Sequence, residues 1–271
     1  MNDQSQAPGR GVSVRRLTCE YLVDPIGIDT PQPRLSWMLE TIERGQGQTA
    51  CRILVASSRQ TLDTDVGDLW DSGEMAGDRS VHVPYDGRPL ASRQRCFWKV
   101  RVWDRHGQPS DWSNVATFET GLLAPDDWQG TWIGPADGAA DRVEPAPLLR
   151  RDFVVAGPVR AARAYVCGVG YYELRLNGEK VGDHVLDPGF TRYDRRVLYV
   201  THDVTGHLCP GPNAVGVILG NGSIVNHIVP SSLRCPVTPP RAGRGGGDGP
   251  EATRCFRGPP VATSSSRGSG R

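Results

Sequence analysis

The most informative stretch of the sequence is Cys96-Phe97-Trp98-Lys99-Val100-Arg101-Val102-Trp103. Successive side chains of a β-strand point to opposite faces, so Trp98, Val100 and Val102 would share one face. The basic residues between them, Lys99 and Arg101, would share the other face. This alternation predicts a strand whose first face packs into a hydrophobic core.

Strand-like segments recur on both sides of this run, separated by turn residues and without any long helical periodicity. On the C-terminal side, turn residues at 104–110 precede a returning strand at 114–120. On the N-terminal side, Pro84 limits residues 82–85 to an edge strand, because proline has no backbone donor. Residues 14–121 are thus predicted to form a sandwich of about seven strands. Its remaining parts are a strand at 48–57, a loop or helical turn at 61–68 and a short strand at 69–73.

A second β-domain is predicted around the hairpin sequence Tyr172-Glu173-Leu174-Arg175-Leu176-Asn177-Gly178. Apolar and polar residues alternate strictly here, and Asn-Gly is the strongest signal for a two-residue turn. Further strands are predicted at residues 148–155, 163–168, 179–182, 197–201 and 213–219. Beyond them, only residues 224–229 are apolar enough to add a strand. We therefore expect an incomplete β-sandwich over residues 125–222.

The composition changes after residue 222. Residues 223–271 carry seven Arg, no Lys and two acids, Asp248 and Glu251, so their formal charge is +5 against −4 for residues 1–222. They contain no Trp or Tyr and are crowded with Gly, Pro, Ser and Arg. Such a segment cannot bury enough apolar surface to offset the entropy of ordering it. We expect residues 223–271 to be a disordered tail, above all from Pro236 onward.

Charge and hydropathy exclude several classes of partner. The whole chain has a formal net charge of +1, which gives no long-range attraction to nucleic acid or to an anionic membrane. No apolar run approaches the ~18 residues that span a bilayer, and the polar N-terminus lacks the pattern of a signal peptide. We therefore expect a soluble, cytoplasmic protein with neither a nucleic-acid nor a membrane partner.

The motifs assign no catalytic residue and no metal ligand. Seven cysteines without a C-x-x-C pair argue against a disulfide framework and against a cysteine zinc site. Gly45 and Gly47 have the spacing of a dinucleotide fingerprint, but a strand rather than a helix is predicted after them. His202, His207 and Cys209 fit no closed zinc pattern. Spacing singles out no pair for glycoside hydrolysis among the carboxylates considered, Glu173, Asp183, Asp187 and Asp194.

Aromatic residues give the clearest indication of a ligand. Sugar rings stack on Trp and Tyr faces, and a β-sandwich can display such side chains without any catalytic geometry. The candidates are Trp70, Trp112, Trp128, Trp132, Tyr171 and Tyr193. Packing in the core or between domains is the alternative role for the same residues, because large aromatics dominate burial in small sandwiches.

Nine blocks of sequence occur in a fixed order and together resemble a known family. The first domain contains residues 17–29, Pro33-Arg34-Leu35-Ser36-Trp37, residues 48–57, Asp68-Leu69-Trp70-Asp71-Ser72-Gly73 and residues 97–104. The second contains Trp128-x-x-x-Trp132-Ile133-Gly134, residues 170–182 with residues 186–191, and Leu219-Gly220-Asn221-Gly222. Residues 14–222 thereby resemble the start of bacterial α-L-rhamnosidases of glycoside hydrolase family 78.

This resemblance implies the fold and the function. It implies an all-β chain with a fibronectin III- or immunoglobulin-like β-sandwich at 14–121 and a jelly-roll-like rhamnosidase N-terminal domain at 125–222. Family members continue into an (α/α)6 barrel that carries the acid and base of an inverting hydrolysis. Because the composition changes where the family pattern stops, we expect a frameshift or truncation before that barrel. The expected function is that of a non-catalytic N-terminal region of an α-L-rhamnosidase, inactive alone.

The resemblance also suggests a ligand for the second domain. In the family, a β-sandwich of this region can be a calcium-dependent rhamnose-binding module with a loop Asn among its ligands. Asn177 would match that Asn, although Leu176 replaces the preceding acid and the hairpin turn accounts for Asn177 equally well. The candidate sugar-binding residues are Asn177, Asp187 and Tyr171, with calcium as the implied cofactor and a rhamnose-containing carbohydrate as the partner. The alternative is a purely structural pair of sandwiches.

Overall fold

The computed structural model describes residues 11–133, 146–193, 195–220 and, as backbone, 237–242. The chain divides into two compact units, one ending at Asp127 and the other beginning at Trp128. Each unit is built almost entirely from β-strands, so the all-β fold class is confirmed. No helix in the described ranges is both long and apolar enough to cross a membrane.

The first unit consists of two antiparallel sheets. The strand order is β1-β2-β6 in one sheet and β4-β3-β7-β8 in the other, with β5 also paired to β3. The strands are β1 (Ser13–Cys19), β2 (Arg34–Glu40), β3 (Gln48–Ala56), β4 (Trp70–Asp71), β5 (Met75–Ala76), β6 (Val83–Pro84), β7 (Arg95–Asp104) and β8 (Ala116–Glu119). One short helix, α1 (Arg59–Asp63), follows β3.

The core of this unit confirms the predicted inward face of β7. Trp98, Val100 and Val102 are each 0% exposed, and they share a cluster with Leu35 and Trp37 of β2. Burial of each large apolar side chain contributes roughly 1.5–3 kcal/mol to folding. The apolar face of β7 therefore packs against β2 and holds the two sheets of the sandwich together.

The other face of β7 is covered as well. Lys99 is only 6% exposed, and its Nζ donates to the Leu62 carbonyl at 2.7 Å and to the Asp65 carboxylate. The Trp112 ring lies 5.0 Å from this ammonium group and 4.5 Å from the guanidinium carbon of Arg101. The α1 region and Trp112 thus cover the cationic side chains of Lys99 and Arg101. Strand alternation alone does not indicate this covering.

The second unit also has two antiparallel sheets. The strand order is β12-β11-β14-β9 in one and β13-β10-β15 in the other. The strands are β9 (Leu148–Val155), β10 (Ala162–Cys167), β11 (Tyr172–Leu176), β12 (Glu179–Lys180), β13 (Tyr199–Asp203), β14 (Gly211–Leu219) and β15 (Val237–Ala242). Ala164 and Val166 of β10 pack in one buried cluster with Leu174, Leu176 and Val217. A common core therefore joins the two sheets.

The predicted hairpin is confirmed. Leu176 pairs with Glu179 across the turn, and Asn177 and Gly178 have φ angles of +52° and +88°. Positive φ at both central residues is what a type I′ turn requires, and Asn and Gly tolerate it best. The register places Leu174 and Leu176 on the core face of β11.

Residues 237–242 correct one expectation about the tail. They form β15, which pairs antiparallel with β10 through Val237 with Val166 and Thr238 with Tyr165. The register shifts before Arg241 pairs with Arg163, at the position of two prolines that cannot donate to a ladder. The expectation of disorder from Pro236 is thus wrong for these six residues, because a proline-rich segment can still serve as an edge strand. Residues 223–236, including 224–229, and residues 243–271 lie outside the described residues.

Candidate functional site

The structure brings together two of the three candidate sugar-binding residues. Tyr171 directly precedes β11, and the main chain of its neighbour Tyr172 donates to the Asp187 carbonyl at 2.8 Å. Asn177 follows the other end of β11. The whole strand, about 20 Å at ~3.3 Å per residue, separates it from Tyr171. Asn177 therefore does not share a site with Tyr171 and Asp187.

The Asn177 side chain is hydrogen-bonded to other residues of the second unit. Its Nδ2 donates to the His207 carbonyl at 2.8 Å and to Oδ1 of Asn213 at 2.9 Å. Its Oδ1 accepts the Ala214 amide at 2.8 Å. Both donors and one acceptor site are occupied. The amide thus joins the hairpin turn to β14.

Asn213 completes this arrangement. It is only 4% exposed, and its Nδ2 donates to the Cys209 and Gly211 carbonyls at 2.7 and 2.9 Å. Its Oδ1 accepts the Cys209 amide at 3.1 Å as well as Asn177. Buried polar groups are stable only when paired in this way. The two asparagines therefore form one hydrogen-bonded unit, called the Asn177–Asn213 pair below.

The residues around Asn177 do not fit a calcium ion. Calcium takes six to eight oxygen ligands, chiefly carboxylates and carbonyls. The residue before Asn177 is Leu176, which is 2% exposed in the core, and the Asn177 nitrogen rather than its oxygen faces Asn213 and His207. In the part of the chain that the structure describes, no three His, Cys, Asp or Glu side chains are grouped to hold a metal.

Asp187 lies in a small cluster with two histidines. Its Oδ2 is 2.9 Å from Nδ1 of His184, and the His184 and His202 ring centroids are 5.8 Å apart. His202 is 6% exposed, with its Nε2 3.0 Å from the Tyr172 hydroxyl. Burial lowers the pKa of His202 below its usual value and His184 adds to this, while the Asp187 charge opposes it. His202 is therefore a neutral hydrogen-bonding partner for Tyr172 at neutral pH.

An apolar rim lies along the same loop. Val185, Leu186 and Phe190 are 75%, 64% and 66% exposed. Phe190 contacts Tyr193 edge to face, with 5.5 Å between the ring centroids. The Gly170 backbone hydrogen-bonds the Tyr193 hydroxyl, and burial raises the pKa of that hydroxyl. These residues and Asp187 are called the Phe190 rim below.

The remaining candidate carboxylates have structural or surface positions. Glu173 pairs with Arg175 at 2.8 Å and with Lys180 at 4.0 Å, which ties β11 to β12. Asp183 is exposed in the loop after β12, and Asp194 lies outside the described residues. Carboxylates held by neighbouring cations stabilise a sheet surface without forming an acid and base pair around a substrate.

The other candidates are divided between packing and surface. Trp70 packs against Tyr85 with 5.4 Å between ring centroids, Trp112 lies over Lys99, and Trp128 contacts Tyr199. Trp132 is 41% exposed. The predicted strand after Gly45 and Gly47 is present as β3. His207 lies in a short 3-10 turn, and Cys209 is exposed.

Sequence reasoning missed the residues that give the site its shape. Phe190 belonged to a recognised block but was not proposed as a candidate, although a large aromatic beside Asp187-Pro188 was a usable signal. His184 lies three residues before its partner Asp187, so this pair was a usable local signal, whereas the bond between Asn213 and Asn177 joins residues 36 positions apart and carried none. His202 was considered only as a metal ligand and instead bonds Tyr172.

Comparisons with known proteins agree with this architecture. Residues 14–124 match the family described as the Rha78A-like N-terminal immunoglobulin domain, and residues 157–232 match the α-L-rhamnosidase N-terminal domain. An α-L-rhamnosidase of Formosa agariphila is 39% identical over an alignment of 219 residues, and the match covers 73% of this chain and 23% of the relative. Another α-L-rhamnosidase, from Streptomyces avermitilis, is 32% identical over 225 residues, and the match covers 76% of this chain and 21% of the relative.

Solved structures give the same result. The α-L-rhamnosidase of Dictyoglumus thermophilum superposes with a TM-score of 0.77 at 38% identity, covering 83% of this chain and 26% of that one. The α-L-rhamnosidase of Aspergillus terreus superposes with a TM-score of 0.70 at 30% identity, covering 84% of this chain and 26% of that one. The chain spans about a quarter of the length of these relatives. It therefore carries the N-terminal immunoglobulin-like domain and the rhamnosidase N-terminal domain that are found in α-L-rhamnosidases.

Proposed function

We propose that the two β-sandwiches are a non-catalytic, supporting part of an α-L-rhamnosidase, an enzyme that hydrolyses terminal α-L-rhamnose residues from rhamnosides. The observation that carries this proposal is that each unit matches a domain described as N-terminal in that family. A resemblance in fold alone does not show that a protein has catalytic activity.

The polar side chains that could perform chemistry instead hold the second unit together. Asn177 is bonded to Asn213 and the His207 carbonyl, and Glu173 is paired with Arg175. Asp187 faces the His184 ring. Side chains used in this way fix the geometry of a rigid module, which is what a support for a larger enzyme requires.

A chimaera tests the supporting role. The whole 271-residue chain replaces the matched quarter of the Dictyoglumus thermophilum enzyme, and the comparison protein is the same enzyme with that quarter deleted. We expect the chimaera to hydrolyse an aryl α-L-rhamnoside with kcat/KM within about tenfold of the parent, and the deletion protein to lose at least ~100-fold. Equal activity of the chimaera and the deletion protein would show that the sandwiches support nothing.

The Phe190 rim favours a second candidate function, which is binding of a rhamnose-containing sugar. Exposed Phe190 and half-buried Tyr193 present aromatic surface, and the Asp187 carboxylate and the exposed His184 ring belong to the same loop as Phe190. An aromatic face with a few polar groups is the usual composition of a monosaccharide site. Tyr171 adjoins the same region, since the amide of the next residue, Tyr172, donates to the Asp187 carbonyl at 2.8 Å.

Titration of the full chain with L-rhamnose tests this second function. Calorimetry should show saturable binding that Phe190→Ala weakens at least about fivefold, because the loss of one stacked ring costs roughly 1 kcal/mol. Val154→Ala is the matched control, since Val154 is 68% exposed in the same unit. Absence of saturable binding, or an equal effect of both variants, would reject sugar binding at the Phe190 rim.

A further inference from the structure

The strand β9 lies at the edge of its sheet. It is the last strand in the order β12-β11-β14-β9, and all of its residues from Leu148 to Val155 pair with β14 on one side. Among the residues that the structure describes, no strand pairs with its other side. An edge of eight residues without proline offers its backbone donors and acceptors to another strand.

The backbone groups on this open side belong to alternate residues. The Leu219 amide donates to the Pro147 carbonyl at 3.0 Å, in continuation of the register that pairs Leu148 with Ile218. Amides of successive residues in an antiparallel strand point to opposite neighbours. The odd-numbered residues of β9 therefore bond β14, whereas the even-numbered residues point their amides and carbonyls away from it.

The solvent-facing side chains of β9 are complementary to a second copy of themselves. Leu148 and Val154 are 74% and 68% exposed, and the Arg150 and Asp152 side chains between them are 73% and 71% exposed. An antiparallel pairing of two copies about a two-fold axis at Arg151 places each Arg150 opposite Asp152 of the other copy. It also places each Leu148 opposite Val154. Opposite charges and apolar pairs in these positions stabilise a sheet.

The core-facing side chains favour the same axis. Leu149 and Phe153 are only partly buried against the core of their own unit, and the axis places each of them opposite the other in the second copy. Arg151 lies opposite its own counterpart, which is unfavourable because the charges are alike. Moving the axis by one residue in either direction loses both ion pairs. The axis at Arg151 is therefore the favoured register, and it pairs the even-numbered residues whose backbone groups point outward.

We propose that β9 is an interface between two copies of this chain, which join their sheets edge to edge through Arg150 and Asp152. The observation that carries this inference is the charge pattern of the exposed face. Many edge strands avoid association through charged side chains, especially Lys, or through proline, whereas the charges here attract a second copy. A strand contact is smaller than the standard interface of about 800 Å² on each partner, so the dimer should be weak.

Sedimentation velocity of the full chain tests the dimer. We expect a monomer at about 1 µM and at least half of the chains in dimers at about 300 µM. Arg150→Glu and Asp152→Arg should each weaken association at least about tenfold, because each places like charges opposite one another. An equimolar mixture of these two variants should regain the dimer, since each variant supplies the charge that the other needs.

A matched control is available in the first unit. Arg59 forms an exposed ion pair with Asp63, and the two side chains are 60% and 53% exposed. Arg59→Glu should therefore leave the association unchanged. Loss of an exposed ion pair has little effect on stability, so Arg150→Glu and Asp152→Arg should melt like the unsubstituted chain.

Hydrogen exchange of the unsubstituted chain locates the contact without any variant. The amides of Arg150 and Asp152 should exchange at least about twofold more slowly at 300 µM than at 1 µM, because half of the chains or more are then paired. The amides of β12, at the opposite edge of the same sheet, should not change with concentration.

Four results would overturn the proposal. The first is a monomer at every concentration, and the second is association that Arg150→Glu and Asp152→Arg leave at full strength. The third is a mixture of these two variants that does not associate. The fourth is protection of the Arg150 and Asp152 amides that is the same at all concentrations, since another segment of the same chain would then cover the edge.

Discussion

The Asn177 side-chain nitrogen lies 2.9 Å from Oδ1 of Asn213, and this contact connects the hairpin turn of β11 and β12 to the start of β14. The two residues are 36 positions apart in sequence. The residue that the family resemblance assigned to ligand binding thus has a structural partner of its own. Loss of the hydrogen bond between Asn177 and Asn213 should therefore lower the stability of the second unit.

Asn213→Ala should destabilise the second unit by about 1–2 kcal/mol, because the buried Asn213 amide loses its hydrogen bonds to Asn177, Cys209 and Gly211. Hydrogen exchange of β11 and β14 amides in the full chain measures this effect within the second unit. Asn114→Ala is the control, since Asn114 is exposed in the first unit. A loss no larger than that of the control would mean that the Asn177–Asn213 pair does not stabilise the fold.

The stability of the second unit should fall in mild acid because of His202. Its pKa in the folded unit is lowered from 6.5, first by burial and then by His184, against the opposing charge of Asp187. The unfolded chain therefore binds the proton more readily, so His202 weakens the unit as pH falls below about 6.5 and has no such effect above it.

Hydrogen exchange of the second unit at about pH 7.5 and pH 5.5 checks this dependence. His202→Gln should flatten the difference between the two conditions, because an amide does not titrate in this range. His106→Gln should leave it unchanged, since His106 has a 58% exposed side chain and belongs to the first unit. An unaltered pH dependence in His202→Gln would show that His202 does not cause the loss of stability in mild acid.

The parts of the fold that sequence predicted are those set by local pattern. The alternation around Trp98 and Val100 placed both residues in the core, and Asn177-Gly178 located the hairpin turn. Each of these signals lies within a few residues of the structure that it specifies. Periodicity and turn chemistry are therefore sufficient for them.

The parts that sequence did not predict depend on distant partners. The burial of Lys99 requires the Leu62 carbonyl, 37 residues away, and β15 requires β10 as a template for a segment rich in proline. In the candidate site, Asp187 bonds the first residue of β11, Tyr172, next to Tyr171, whereas Asn177 lies at the opposite end of that strand. No local propensity encodes which ends of a hairpin meet a later loop.

The first unit should fold alone when its chain ends at Asp127. The Asp127 carboxylate accepts the Ser92 hydroxyl and the Ala124 amide at 2.9 Å, so a chain ending at Gly121 would lack these bonds. We expect both chains to melt cooperatively, with the longer one more stable by about 1–2 kcal/mol. Circular dichroism during heating measures this difference. A non-cooperative melt of the longer chain would show that the first unit needs the second.

The strand β15 should contribute to the second unit. A chain ending at Ala242 is compared with one ending at Pro236, and the shorter one leaves the outer edge of β10 unpaired. Adjacent amides of a strand face opposite neighbours, so of Tyr165 and Val166 one amide faces β15 and the other faces β13. The amide that faces β15 should exchange at least about tenfold faster in the shorter chain, while the amide that faces β13 should be unchanged. Equal exchange in the two chains would restore the expectation of a tail without structure.

The most direct test of the non-catalytic role is the hydrolysis of an aryl α-L-rhamnoside by the purified full chain. Inverting hydrolysis needs two carboxyl groups about 6.5–9.5 Å apart around the substrate, whereas Glu173 and Asp187 are held by Arg175 and His184. The account predicts a rate equal to that of the buffer alone. Saturable turnover that is abolished by Glu173→Gln or Asp187→Asn would contradict it.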